Sequence, residues 1–186
     1  ELHLTHVALI NDLEANAYGI GALEARDFTV LNSGTHGAIG HRAVISAGTG
    51  LGEAGLFWDG VRHRPFACEG GHADFAPAHA VQADLWSFLA KEFGHVSWER
   101  VRSGPGLHNI YRFLRDTGRG DEPGWLKEER VQGDPSVAIS RAAVAGKSDL
   151  CVCALTLFVE LYGAEAGNLA LKVMAVGGVC VPLKVW

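Results

Sequence analysis

Residues 47–55 read AGTGLGEAG. Gly50, Gly52 and Gly55 fit Gly-x-Gly-x-x-Gly, the fingerprint of a dinucleotide-binding βαβ unit. That fingerprint works only where a helix follows, because the helix N-terminus meets the pyrophosphate. Here the chain continues GLFWDGVRHRPFAC at 55–68, and Asp59-Gly60 between two β-rich runs is a strong hairpin signal. The dinucleotide reading is therefore rejected. With Ala43–Ala47 as the strand before it, the stretch is a strand, a glycine turn and a second strand. Such a turn presents backbone N–H groups and the Thr49 hydroxyl, and it can hold the terminal phosphates of a nucleotide without any side-chain cation. A plain glycine-rich hairpin turn accounts for the same residues, and the motif alone leaves both readings open.

Upstream, residues 31–41, LNSGTHGAIGH, form a loop of Gly, Ser and Thr. Val7–Ile10 is a short apolar run read as a buried strand, and Leu13–Leu23 reads as a helix. Asn11 and Asp12 thus stand where a strand ends and a helix begins, and open α/β sheets bind ligands at the carboxyl ends of strands. An acid in that place can cap the helix that follows. It can also act as a general base that orients a hydroxyl and takes its proton in phosphoryl transfer. The two roles of Asp12 are compatible.

Downstream, the hairpin delivers the chain into ACEGGHADFAP at 67–77, where Glu69 and His72 lie three apart around two glycines. A carboxylate accepts from two neighbouring hydroxyls and an imidazole nitrogen takes another, so the pair suits a sugar. Hydrogen bonds to a charged group are worth roughly 1.5–3 kcal/mol each, and the glycines let the chain come close to a ligand. The competing reading is a turn with a surface Glu and a structural His, which Asp74 caps or braces. Glu99, in GHVSWER at 94–100, reads locally as part of a turn capped by Ser97 or as a solvated helix face. The remaining histidines (His3, His6, His36, His41, His63, His79, His95 and His108) show no metal-ligand spacing.

Val81–Phe93 is amphipathic, with Leu85, Trp86, Leu89 and Phe93 on one face and Gly94 to end it. Leu107, Ile110, Tyr111 and Leu114 keep helical spacing up to Gly118. Residues 117–134 are polar and glycine-rich and read as an exposed loop. Asp134-Pro135 is an N-cap followed by proline at the first helical position, and helices run with breaks to Ala175. Gly177-Gly178 precedes a last apolar stretch. Strands come first and helices later, so the class is α/β or α+β.

The 186 residues suit one domain, at about 100–200 residues per domain, and the 48% apolar content can bury a substantial core. A net charge of −5 gives no general attraction to nucleic acid or to an anionic membrane. The four cysteines (Cys68, Cys151, Cys153 and Cys180) include no Cys-x-x-Cys pair and make no disulfide framework, so a reducing cytosol is expected. Cys151 and Cys153 are placed on different sides of a helix. The longest apolar run, Leu150–Val159, falls short of the ~20 residues that span a bilayer.

Taken in order, LINDLEANAYGI (9–20), AGTGLG (47–52), EGGHADFAP (69–77), GHVSWERVRSGPGL (94–107), GDPSVAISRA (133–142) and YGAEAGNLAL (162–171) closely resemble the bacterial-type ATP-dependent glucokinases of the actin-like/hexokinase superfamily. The resemblance implies an α/β, ribonuclease-H-like (actin-like ATPase) fold with two domains around a cleft. Residues 1–22 then correspond to the last piece of the first domain, and 23–186 to most of the second, incomplete at its C-terminus. The implied reaction is ATP-dependent phosphorylation of glucose to glucose 6-phosphate, with Mg2+. In it Asp12 is the catalytic base that takes the proton of the sugar 6-hydroxyl. Asn11, Glu69, His72 and Glu99 bind the other hydroxyls, and Gly48, Thr49 and Gly50 belong to the second phosphate-binding turn. Glucose and ATP are the implied partners, without nucleic acid or membrane. The implied location is cytoplasmic, and a homodimer is among the assemblies allowed.

The sequence also departs from the family. The family begins with a strand and an Asp-x-Gly-Gly-Thr phosphate loop. It later runs through a strand into a further glycine-rich turn at the adenosine pocket. This chain has no such loop and ends GGVCVPLKVW. The expectation is a fragment with weak or no turnover, because stabilising charge at the phosphates carries most of phosphoryl transfer. A glucose-binding remnant without catalysis is the alternative. A sugar-responsive repressor of the same superfamily is set aside, since neither a helix-turn-helix nor a Cys-rich zinc motif is present.

Overall fold

The computed structural model describes residue 7 and residues 9–182. Among the described residues, four strands form one mixed sheet: β1 (Arg42–Ala47), β2 (Leu51–Trp58), β3 (His63–Cys68) and β4 (Val179–Cys180). Their order is β3-β2-β1-β4. The pairs β1–β2 and β2–β3 are antiparallel, and β4 joins β1 in parallel after the long helical excursion. The helices are α1 (Asp12–Ile20), α2 (Ala80–Phe93), α3 (Gly104–Asp116), α4 (Gly124–Gln132), α5 (Pro135–Val144) and α6 (Asp149–Val173). The architecture is α/β, with helices on both faces of the sheet.

The two faces follow from period-two alternation along the strands. Ala43, Ile45 and Leu51 point into a large core with residues of α2, α3, α5 and α6. Val44, Ala54 and Leu56 point the other way, where Leu13, Ala17 and Ile20 of α1 cover them. The Gly48–Gly50 turn joins two paired strands, as read from the sequence, with Ala47 opposite Leu51. At the far end of the hairpin, Asp59 Oδ1 accepts the N–H groups of Val61 and Arg62 at 2.9 and 2.8 Å. Gly60 takes φ 95° there, a value that suits glycine.

Several expectations change. Within the expected strand at 7–10, Ala8 lies outside the described residues. Val7, Leu9 and Ile10 take no regular structure and are exposed, with no described strand beside them to pair their backbone. The cap of α1 is Asn11, whose Oδ1 accepts from Leu13 and Glu14 N–H at 2.8 and 3.3 Å; Asp12 is the first helical residue. The expected loop at 117–134 contains α4. Its polar sequence hides one apolar anchor, the fully buried Leu126, and Arg130 pairs with Glu122, which also accepts from the Tyr111 hydroxyl at 2.8 Å. The expected apolar run Leu150–Val159 is part of a 25-residue helix, long and apolar enough by composition to cross a bilayer. One face of that helix, with Leu150, Ala154, Leu157, Leu161 and Leu169, packs in the core. Cys151 is buried and Cys153 exposed, so the two do face different ways.

Among the charged side chains in the core is an arginine. Arg102 is fully buried, with its guanidinium between the rings of Phe158 and Tyr162 at 3.7 and 3.9 Å. Its Nη1 donates to the Phe158 carbonyl, while Nε and Nη2 have no partner. Burial lowers its pKa to about 9.

Candidate active site

A cleft of about 490 Å3 opens where β1 ends and α1 begins. Four of the segments that line it carry the residues singled out from the sequence. The start of α1 contributes Asn11 and Asp12, the β1–β2 turn Gly48, Thr49 and Gly50, the turn after β3 Glu69 and His72, and the segment before α3 Glu99. All eight residues singled out from the sequence thus meet in one hollow.

Local structure places each of them. Capping occupies Asn11 Oδ1, so the Asn11 amide nitrogen is the end left for a ligand. Asp12 is exposed, and its Oδ1 accepts the Leu13 N–H at 2.9 Å. Beyond β3 the chain makes a single 3-10 turn, Gly70–His72, with the His72 N–H bonded to the Glu69 carbonyl at 3.0 Å. Glu69 Oε2 and His72 Nε2 stand 3.8 Å apart, both well exposed on the cleft wall. Asp74 braces this turn: its Oδ1 lies 2.7 Å from His95 Nε2, and its backbone bridges to Ser97. The Trp98 N–H donates to the Ala73 carbonyl at 3.0 Å, and the rings of Phe75 and Trp98 meet edge to face. These ties bring Glu99, in the 3-10 turn Trp98–Arg100, to the same hollow as Glu69.

Glu99 is half-buried, and its Oε2 accepts the Leu51 N–H at 3.1 Å. The glycine turn is closed by Gly48 N–H on the Gly50 carbonyl at 2.8 Å, and the Gly104 N–H at the start of α3 holds the Gly48 carbonyl at 2.8 Å. Thr49 is exposed at its tip. Among the described residues, four lining carboxyl groups (Asp12, Glu53, Glu69 and Glu99) meet no lining Lys or Arg. Such a wall accepts hydrogen bonds from a neutral polyol and repels an anion everywhere except at the backbone N–H groups of the turn. Among the described residues no three His, Cys, Asp or Glu side chains converge as a metal-binding group.

The glycines at 70 and 71 meet a packing demand that sequence reading did not foresee. A Cβ on Gly70 would fall 1.9 Å from Glu53 Oε2, and one on Gly71 would fall 2.2 Å from the Leu51 carbonyl oxygen. Their smallness seats the turn on β2. Glu53 and Asn16 are among the lining residues that sequence reading missed. Asn16 is four residues from Asp12, hence on the same helix face. Glu53 interrupts an otherwise small and apolar strand, and an acid at a core-facing register is the signal that marks it.

A family model described as Glucokinase matches residues 1–182. The chain is 41% identical over 194 residues to the glucokinase of a Nostoc species, covering 97% of this chain and 57% of that protein. It is 41% identical over 195 residues to the glucokinase of a Synechocystis species, covering 97% and 55%. The crystal structure of glucokinase from an Antarctic psychrotroph superposes with a TM-score of 0.78 at 31% identity, over 92% of this chain and 51% of that one. The chain therefore spans about half the length of the relatives it matches.

Proposed function

The chain belongs to the glucokinase family, and from that premise we propose that its cleft binds glucose for ATP-dependent phosphorylation to glucose 6-phosphate. The observation that carries the reading is the convergence on one cleft of eight residues from four segments spread over 89 positions, 11 to 99. Residues 23–186 are read as most of the second domain of a ribonuclease-H-like sugar kinase, and residues 1–22 as the end of the first.

Asp12 is assigned the base. Its Oδ1 is engaged by Leu13, which fixes the carboxyl group and leaves Oδ2 for the sugar 6-hydroxyl. The Asn11 amide nitrogen, Glu69, His72 and Glu99 take the remaining hydroxyls. The acid-rich wall suits hydroxyl donors, and each good bond to a charged acceptor adds roughly 1.5–3 kcal/mol. The N–H groups of Thr49 and Gly50, with the Thr49 hydroxyl, face the nucleotide phosphates. ATP supplies the phosphoryl group. Mg2+ would accompany ATP and offset charge on its phosphate oxygens.

Calorimetric titration of the 186-residue chain with glucose tests the reading. Saturable binding that weakens in Glu69→Gln and Glu99→Gln is expected. A folded chain that takes up no glucose overturns it.

A further inference from the structure

The turn that carries Glu69 and His72 rests on a buried acid. Glu53 lies within β2, is 1% exposed, and pairs in register with Cys68 at the end of β3. The Gly70 backbone lies against its carboxyl group, with only 1.9 Å between Oε2 and any Cβ added there. The Gly70 N–H donates to Cys68 Sγ at 3.2 Å, and the Cys68 thiol donates to Glu53 Oε2 at 3.8 Å. The second oxygen, Oε1, is buried without a hydrogen-bond partner. Behind it stands Glu165 of α6, fully buried, which accepts from Lys172 Nζ at 3.2 Å and from Asn168 Nδ2 at 2.8 Å.

We propose that Glu53 is a positioning residue for the 69–72 turn: its buried carboxyl group is the floor on which Gly70 seats, and it thereby fixes how Glu69 and His72 enter the cleft. The proposal rests on the sugar-binding reading of that cleft. The titratable groups that face Glu53 are Cys68 from β3 and Glu165 and Lys172 from α6. Two carboxyl groups share one ammonium there, so one of them lacks a countercharge in a dry site. Burial first, and then Glu165, raise the pKa of Glu53 to about 7. Protonated, Glu53 has an O–H to give to Glu165, and its orphan oxygen is satisfied. Ionised, it is repelled by Glu165 and must draw in water. The part best able to yield is the Gly70–Gly71 backbone, which has no side chains to pin it. The turn therefore loosens as pH rises through 7, and its hold on a sugar loosens with it.

The test is amide hydrogen exchange of Gly70, Gly71 and His72 in the sugar-free 186-residue chain from pH 5.5 to 8.5, expressed as protection relative to the free peptide. Wild-type protection is expected to fall on the order of tenfold across that range. E53Q, a neutral isostere, is expected to keep the low-pH protection throughout, and E53A to lose it at every pH. If E53A does not fold, E53Q against wild type still decides. Protection that is flat with pH in wild type, or that falls equally in E53Q, overturns the proposal. Glucose affinity in the same proteins separates the two claims. A pH-dependent turn in a chain that binds no glucose supports the role of Glu53 and refutes the sugar site. Glucose binding with a pH-independent turn refutes the role of Glu53 alone.

Discussion

Glu99 Oε2 accepts the Leu51 N–H at 3.1 Å, and a Cβ on Gly50 would fall 2.5 Å from the same oxygen. One carboxyl group thus touches both the glycine turn assigned to phosphate and the wall assigned to sugar. Glu99→Gln keeps an acceptor for Leu51 and removes the charge. Its melting temperature is expected to stay near wild type while glucose affinity falls about tenfold or more, the loss of one charge-assisted bond. Glu99→Ala removes both and is also expected to unfold more easily, by ~1 kcal/mol. Calorimetry and thermal unfolding read the two effects separately. Equal glucose affinity in Glu99→Gln would remove Glu99 from the sugar grip.

Asn11 and Asp12 divide the labour that sequence reading left to a single acid. Asn11→Ala removes the cap of α1 and is expected to cost about 1 kcal/mol in denaturant unfolding. Asp12→Asn leaves the cap intact. At the matching position of an intact relative it is expected to lower kcat by roughly 100-fold or more, the usual weight of a general base, with KM for glucose little changed. Loss of the fold in Asp12→Asn would return that residue to a structural role.

The parts legible in the sequence are those whose cause is local. The Asp59-Gly60 turn, the Asp134-Pro135 cap and the Gly94 stop each carry their whole signal within a few residues, and the structure forms all three. The α4 helix was hidden because its cause is tertiary: Leu126 finds a core pocket and Arg130 finds Glu122, neither visible in a polar, glycine-rich stretch. The cleft residues were each balanced locally against a plain turn or cap. What joins them is pairing between distant segments, the Asp74–Ser97 bridge and the Trp98–Ala73 bond, together with the strand register that puts Glu53 beneath Gly70.

Arg102 tests how the core tolerates charge. Stacking on Phe158 and Tyr162 favours the guanidinium by up to ~2 kcal/mol per ring. Against this stand the loss of solvation and two unbonded buried N–H positions, each costing about 1–3 kcal/mol. The lowered pKa, near 9, marks burial as the larger effect. Arg102→Met fills similar space without charge and is expected to raise unfolding stability by about 1–2 kcal/mol in urea. A less stable variant would show that stacking outweighs desolvation.

Glu53 also ties global stability to pH. Its folded pKa, about 7, lies above the ordinary 4.5, so the folded chain holds a proton that the unfolded chain has released. The contribution is fully present below pH 4.5 and is lost as pH rises toward and through 7, and the shift corresponds to ~3 kcal/mol. His108 works in the opposite direction. Burial and then Arg130 lower its pKa from 6.5, so its neutral folded form gains stability as pH rises toward that value. Subtracting E53Q from wild type cancels His108 and leaves Glu53. The difference in unfolding free energy between the two proteins is therefore expected to move against wild type by a few kcal/mol from pH 4.5 to 7.5 and to stay level above it. A constant difference over that interval would mean that Glu53 is ionised in the folded chain, and that Glu165 and burial do not hold its proton.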